Sequence, residues 1–534
     1  MNPDCYPITA LPHVSLLYRD YVSGNWEKLR AFYPEAAAND GQWMKNAPQM
    51  ELARRAAIVD LLRGQNRNFG GGAATEANLD RLAAGAGAVV TGQQVALFGG
   101  PLLTLMKAAT AIHLAAEATR AGHPHVPIFW LASEDHDFDE VNQATFPCGN
   151  DITTLRLPAV AEGRPVGNLP FGDAILPLLD RLRRCLGENA VTDLIATLYT
   201  PTATFASAFA ALMARIFSRH GLILIDPSSR PFHALSASTL RSAIEDADEL
   251  HAALLERGHA LEQASYHAQV MVAESSSPLF LIDEATGVRT ALKKVARGQW
   301  SAGPAHCTTA DLVAILDAAP ERLSPNALLR PVLQDTLLPT SAYIGGPAEI
   351  AYFAQSQVLY RRILGRTTPV LPRYSATLLD PAMAQLLHKH ALTLPDVFTT
   401  PDALAHRLGA RAMPVEAKRK LAAAGSALHD ELEAIAAWMR AQDEGLGHAA
   451  DIAASKMLYQ MNRLRRLSAN FQLQRDQSLR RHADALCLNL FPNGNLQERV
   501  LAGVSVLAQH DLSLIDTLVE QARTGQCGHH AVYL

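Results

Sequence analysis

Long apolar runs are missing from this 534-residue chain. Nowhere do about 18 consecutive apolar residues occur, the length a helix needs to cross a bilayer, so no membrane-spanning segment is expected. Positive charge is not in excess either: 47 Lys and Arg stand against 52 Asp and Glu, a formal net charge of −5. That balance offers no basic field to nucleic acid or to an anionic membrane surface. The six cysteines (Cys5, Cys148, Cys185, Cys307, Cys487 and Cys527) form no CxxC pair and show no metal-ligand spacing. In a chain this large such scatter predicts free thiols in a reducing cytoplasm. Glycine-rich nucleotide fingerprints of the GxGxxG or GxxxxGK[ST] type are also absent. The opening segment, Met1 to Ser15, carries three prolines and no apolar stretch, so a secretory leader is not expected.

What is present is ordinary globular composition, 49% apolar and 19% charged. The length exceeds what one core supports, and two or three domains are expected. The chain is organised around Ala88 to Lys107, AVVTGQQVALFGGPLLTLMK. Ala88 to Thr91 reads as a buried strand, Gly92, Gln93 and Gln94 as a turn, and Gly99-Gly100-Pro101 as the opening of a helix that sends Leu102, Leu105, Met106 and Ala109 to the core. A strand turning into a helix gathers free N–H groups and the positive end of the helix dipole, which suits an anion; glycines at such a turn can equally be steric relief.

Val126 to Ala132 (VPIFWLA) is a second strand, buried on both faces. With the helix before it, it makes a strand–helix–strand unit whose two strand ends share one edge of a sheet. The second strand runs into Ser133-Glu134-Asp135-His136-Asp137-Phe138-Asp139-Glu140. Five carboxylates and an imidazole so close would repel one another unless a cation, an amine or an arginine stands among them; the plainer reading is a solvated acidic turn with a helix cap.

Further along, a helix near Thr202 to His220 precedes a strand at Gly221 to Asp226, and Met50 to Leu62 has helical spacing with Arg54-Arg55 on a solvated face. From Tyr266 to Lys294 the texture becomes β-like, HAQVMVAE and PLFLIDEATGVRTALKKV reading as strands with a turn at Thr286-Gly287. Gly345-Gly346-Pro347 repeats the earlier glycine–proline device before a helix at Ala348 to Leu364, and Thr368 to Tyr374 forms another strand ending near Arg373. Beyond Asp380, Leu428, Leu432, Ile435 and Met439, and then Met457, Met461, Leu464, Ser468 and Phe471, step at heptad spacing around a turn at Asp443 to Gly447. This predicts an antiparallel coiled-coil hairpin with a methionine-containing core and makes a homodimer a natural expectation. Cys527, His529 and His530 lack a fourth ligand and do not read as a metal site.

The blocks TGQQ with LFGGPLLTLMK, VPIFWLASEDHDFDEVN, LSPNALLRPVLQDTLLPTSAYIGGPAEIAYF, PVLPRYSATLLD and PNGNLQERV resemble, in order and over nearly the whole chain, the BshC family of cysteine ligases in bacillithiol biosynthesis. The resemblance implies an α/β fold: a Rossmann-like core with a parallel sheet, similar to nucleotidyltransferases and class I aminoacyl-tRNA synthetases, with inserted connecting modules and a coiled-coil arm that helps form a dimer. The divisions expected are an N-terminal lead and first core part over 1–265, an inserted module over 266–322, a second core part over 323–380, a helical coiled-coil domain over 381–488 and a C-terminal segment returning to the core over 489–534.

The implied reaction joins the carboxyl group of cysteine to the amino group of glucosaminyl-malate. Ala96 and Leu103 stand where Gly and Tyr are expected in relatives. Such a ligation requires activation, most often by ATP, with ADP as a product or bound ligand and Mg as a companion ion. The HxGH turn of class I adenylating enzymes is absent, and Ser455-Lys456-Met457 falls inside a coiled-coil helix, so adenylyl and phosphoryl activation both stay open. Candidate binding residues are Thr91, Gln93, Gln94, Gly99, Gly100, Pro101, Lys107, Asn326, Arg330, Gly345, Gly346 and Arg373, the two arginines being suited to malate carboxylates or to structural ion pairs. Glu134, Asp135 and Asp137 are candidates to hold an ammonium group or a divalent ion, and His136 to act as general base. The alternatives are a nucleotide-binding dimeric scaffold, or another amine ligase or nucleotidyltransferase on the same fold.

Overall fold

The computed structural model describes residues 5–33, 41–158, 163–522 and 528–534. It divides into two compact units, residues 1–377 with 498–530, and residues 378–497 with 531–534.

In the first unit, helix α1 (Leu52–Asn68) buries Ile58, Val59 and Leu62. Its Arg54-Arg55 pair is not a solvated face. Arg55 is buried and donates to Leu82 O, while Arg54 donates to Leu235 O and Thr336 O. The first central strand, β1 (Gly87–Gln93), is followed by helix α2 (Leu103–Arg120), strand β2 (His125–Leu131), helix α3 (Phe205–Ile216) and the short strand β3 (Ile223–Ile225). An antiparallel sheet then follows from β4 (Ser276–Ile282), β5 (Arg289–Ala296), β6 (Gln299–Ala302), β7 (Ala305–Thr308) and β8 (Leu323–Pro325), in the order β7-β6-β5-β4-β8. Helix α4 (Arg330–Leu337), strand β9 (Thr340–Gly345), helix α5 (Pro347–Leu364) and strand β10 (Val370–Pro372) complete the core.

The parallel sheet has the order β10-β9-β1-β2-β3. It is a Rossmann-like sheet buried on both faces, as the continuous apolar strands require. Ala88 and Val90 of β1 pack into one apolar cluster and Val89 into another on the opposite face. Edge strand β3 is covered by side chains of α1: the Asn66 carboxamide exchanges two bonds with Leu224, 2.8 and 2.9 Å, and Gln65 does the same with Asp226, 2.7 and 3.1 Å. Carboxamides here replace the backbone partner that an edge lacks.

The segment HAQVMVAE is irregular rather than a strand, because the backbone of Val270 pairs with a side chain, the Gln355 carboxamide, at 2.8 and 2.9 Å. Cys148 and Cys185 are joined by a disulfide and Cys5 is disulfide-bonded as well, so the expectation of free thiols fails for these three, while Cys307 and Cys487 are free. Cys527 lies outside the described residues.

The second unit is helical: α6 (Pro401–Ala412), α7 (Val415–Gln442), α8 (Glu444–Arg475) and α9 (Gln477–Leu490). Helices α7 and α8, of 28 and 32 residues, span about 42 and 48 Å. The reversal between them takes Asp443 alone rather than all of Asp443 to Gly447. Asp443 leaves helical geometry and its carboxylate accepts from Leu446 N–H, capping α8. Gly447 is required by close packing, since a Cβ there would lie 2.7 Å from Arg440 Cβ. The apolar stripe is not all core: Leu428, Leu432, Met439 and Met461 are half-buried, whereas Ile435, Met457, Leu464 and Phe471 are exposed. Among the described residues no helix is long and apolar enough to cross a membrane.

Candidate functional site

From β1 the chain proceeds through β2 to β3 on one side, while β9 leads to β10 on the other. The switch between β1 and β9 opens a crevice beyond the strand ends, where ligands of open α/β sheets bind. A cleft of about 940 Å³ lies there, lined at the end of β1 by Gly92, Gln93 and Gln94, from beyond β2 by Glu134, Asp135 and His136, and at the start of α5 by Gly346 to Glu349. Both strand ends therefore face one space.

The glycine turn after β1 does not supply the donors expected of it. Gly99 N–H bonds Ala96 O and Gly100 N–H bonds Leu97 O, at 3.2 and 3.1 Å, while Leu102 N–H bonds Leu501 O at 2.8 Å. Pro101 is bridged to Ala502, and α2 begins only at Leu103. Gly100 and Pro101 line the cleft but Gly99 is buried away from it. The second device behaves differently. Gly346 caps α5, Pro347 is its first residue, and the N-terminus of this 18-residue helix opens on the cleft. Gly345 lies in β9 and accepts from Arg373 N–H, and Thr91 stitches β1 to β9 by donating to Ile344 O at 3.0 Å. Neither lines the cleft.

Lys107 is fully engaged. Its ammonium donates to Gly92 O at 2.9 Å and Gln93 Oε1 at 2.8 Å and is ion-paired with Glu349. Glu349 also accepts from Tyr343 OH at 2.6 Å and Gly346 N–H at 2.8 Å. Although burial disfavours its charge, Lys107 and these donors hold its carboxyl below the usual range. Arg373 is occupied as well: Nη1 and Nη2 grip the buried Glu498 at 3.0 and 2.5 Å, and Glu498 further accepts from Ser375 and Ala376. Its fork is therefore not available to a substrate carboxylate, and only Nε, beside Gly346, is uncommitted among the described residues.

The acidic run is sorted by its neighbours. Glu134 pairs with the buried His233 at 2.8 Å. Burial opposes charge on that ring, but Glu134 outweighs it and raises the pKa above the ordinary value. Gln94 donates to Asp135 at 2.6 Å and to Glu140 at 2.9 Å, holding two acids in place. The Glu140 pKa is raised, first by burial and then by Asp137 and Asp135. Asp137 caps the helical turn Phe138–Val141 through Glu140 N–H. His136 Nδ1 lies 2.8 Å from Arg289 Nη1, and burial first, then Arg289, lowers its pKa. Among the described residues no three His, Cys, Asp or Glu side chains converge as metal ligands.

Asn326 Oδ1 accepts from Leu328 and Leu329 N–H, fixing the approach to α4. Arg330 then enters the cleft with no carboxylate partner among the described residues. Its guanidinium donates to Tyr352 OH at 3.0 Å, Tyr343 OH at 3.3 Å and Gln334 Oε1 at 3.1 Å. Arg499 also lines the cleft without an acid partner among the described residues. Sequence reasoning had missed Arg289, Arg499, Glu349 and His233. Glu349 was findable, since a Glu three residues after a helix-capping glycine is the acid of a capping box; an isolated arginine in a β-strand carries no such signal.

Comparison with known proteins agrees with this architecture. The profile of the bacillithiol biosynthesis BshC N-terminal Rossmann-like domain matches residues 1–374, and that of the BshC C-terminal coiled-coil domain matches residues 376–534. The chain belongs to the BshC family. Relatives named "Putative cysteine ligase BshC" include those of Koribacter versatilis, 41% identical with 100% of this chain and 99% of the relative covered, and Solibacter usitatus, 36% identical over 100% and 99%. The BshC relative of Salinibacter ruber is 31% identical over 98% and 97%. Membership ties the chain to bacillithiol biosynthesis, and each of the BshC blocks that carried the resemblance from sequence contributes to the cleft wall, together with Phe280 and Arg289 of the antiparallel sheet.

Proposed function

We propose that this chain is a ligase that joins the carboxyl group of cysteine to the amino group of glucosaminyl-malate in bacillithiol biosynthesis, with ATP supplying activation. The names of the full-length relatives support the reaction class. The observation that carries the substrate assignment is the pair Arg330 and Arg499: two guanidinium groups in one cleft with no acid of their own among the described residues, while Lys107 and Arg373 each have one. Malate brings two carboxylates, and a guanidinium fork matches a carboxylate in two bonds.

A free carboxylate does not acylate an amine, and ATP, when bound, supplies the driving force. The residues present fit a polyphosphate at one place, where the α5 N-terminus and the uncommitted Arg373 Nε offer donors beside Gly346. Asp135 and Glu140, held by Gln94, are placed to receive an ammonium group and to take its proton as the amide forms. The exposed Ile435, Trp438, Leu464 and Phe471 on α7 and α8 support a homodimer in which a second copy covers this stripe.

Purified protein incubated with cysteine, glucosaminyl-malate and ATP should yield the conjugated thiol, identified by mass, with stoichiometric ATP cleavage. Binding of glucosaminyl-malate and ATP without product would favour a scaffold role. No binding of glucosaminyl-malate would remove the substrate assignment.

A further inference from the structure

Arg289 comes from β5 of the inserted antiparallel sheet, yet its guanidinium meets His136 beyond the end of β2. It is held on every side. Nε donates to Ser324 Oγ at 2.8 Å, Nη2 donates to Pro325 O at 2.7 Å, and Cζ lies 3.6 Å from the centroid of the Phe280 ring. What remains is Nη1, which faces His136 Nδ1 at 2.8 Å. A guanidinium has only donors. Nδ1 must therefore present its lone pair, and the ring proton must sit on Nε2. Protonating Nδ1 as well would set N–H against N–H and place a second positive charge beside Arg289. Asp135 pulls the other way, but its Oδ1 is 3.7 Å from Nδ1 and is committed to His136 N–H at 2.7 Å. Phe280 packs against the imidazole too, with centroids 5.5 Å apart. The ring lines the cleft, its side chain is 38% exposed, and Nε2 has no hydrogen-bond partner among the described residues.

We propose that Arg289 is a positioning residue that holds His136 as the neutral Nε2–H tautomer, so that His136 serves the substrate as a hydrogen-bond donor and not as a base. This rests on the proposed reading of the cleft as a centre of amide formation. As the amine nitrogen attacks the activated acyl carbon, a C–N bond forms and the carbonyl π pair moves onto oxygen, where the Nε2–H meets it. The pair returns as the activating group departs with its bonding electrons, and the amine proton passes to a cleft carboxylate, Glu140. A donor already aimed at the developing charge costs no reorganisation at the moment of reaction. A lone pair already engaged by a buried arginine is poorly placed to take a proton.

Ring-15N-labelled full-length protein tests the tautomer without any turnover: Nδ1 should report an unprotonated nitrogen and Nε2 a protonated one at neutral pH. Arg289→Met should mix the tautomers and raise the ring pKa. A proton found on Nδ1 in the wild type, or an unchanged ring in Arg289→Met, overturns the positioning role. In the ligation assay His136→Gln keeps an N–H donor but offers no base. It should retain kcat within about tenfold of wild type, whereas His136→Ala loses about 10²- to 10³-fold with KM little changed. Equal loss in the two variants overturns the donor role. Absence of turnover in the wild type would instead sink the ligase reading and leave the tautomer measurement standing.

Discussion

Lys107 on α2 and Glu349 in the first turn of α5 form a buried ion pair in the wall of the cleft, tying the helix that follows β1 to the helix that follows β9. Two further donors on Glu349 and two acceptors on Lys107 complete the pair, so neither charge depends on a ligand for compensation.

Removing one partner strands the other. Lys107→Met is expected to destabilise the protein by about 3–5 kcal/mol, and the double replacement Lys107→Met with Glu349→Gln to recover most of that loss. Denaturant unfolding of the four members of the cycle measures it. A double variant as unstable as Lys107→Met would show that the pair is not the source of the loss.

Arg330 and Arg499 are different in kind, because neither has a carboxylate in direct contact among the described residues, which leaves each able to meet one brought by a ligand. A charge-assisted hydrogen bond contributes about 1.5–3 kcal/mol, so Arg499→Gln and Arg330→Gln should each raise KM for glucosaminyl-malate by roughly 10- to 100-fold. Arg499 is exposed, and its variant should keep the thermal midpoint of the wild type. Unaltered KM in both variants would place the malate elsewhere.

The Glu134–His233 pair sets a pH dependence of stability. The folded pKa of His233 is raised, so the contribution of the charged pair is fully present below the unfolded value, about 6.5, and is lost as pH rises through the folded value. The stability difference between wild type and His233→Gln should therefore be greatest below about pH 6.5 and shrink over the range above it as pH rises through the raised folded value. A difference that stays constant over that range would mean that the ring carries no proton gained on folding.

On α7 and α8, Trp438 and Phe471 are 64% and 60% exposed. If the proposed homodimer forms through this stripe, replacing both by Glu should yield monomers in light scattering while leaving the helical signal intact. Dimers surviving the double replacement would remove this stripe as the interface.

Much of the fold could be read along the chain because its signals are local. Ala88 to Thr91, Val126 to Ala132 and the helix after Gly346-Pro347 announce themselves by unbroken apolar runs and by glycine–proline punctuation, and the structure places β1, β2 and α5 there. The acids and imidazole of Glu134 to Asp137 were visible for the same reason. Which charges cancel was not visible, because electrostatic partners are chosen by proximity in space: Arg373 meets Glu498 across 125 residues, and Arg289 meets His136 across 153. Similarly, the glycines at Gly99 and Gly100 looked like donors of free N–H groups until the tertiary structure committed those groups to Ala96 and Leu97. Sequence by itself determined where strands end and polar chemistry begins. Only the packing of distant segments decided how each buried charge is met, since a cation taken out of water needs whatever acceptor the fold brings within reach: Glu349 for Lys107, Glu498 for Arg373, backbone carbonyls for Arg55, and hydroxyls with a carboxamide for Arg330 in the cleft.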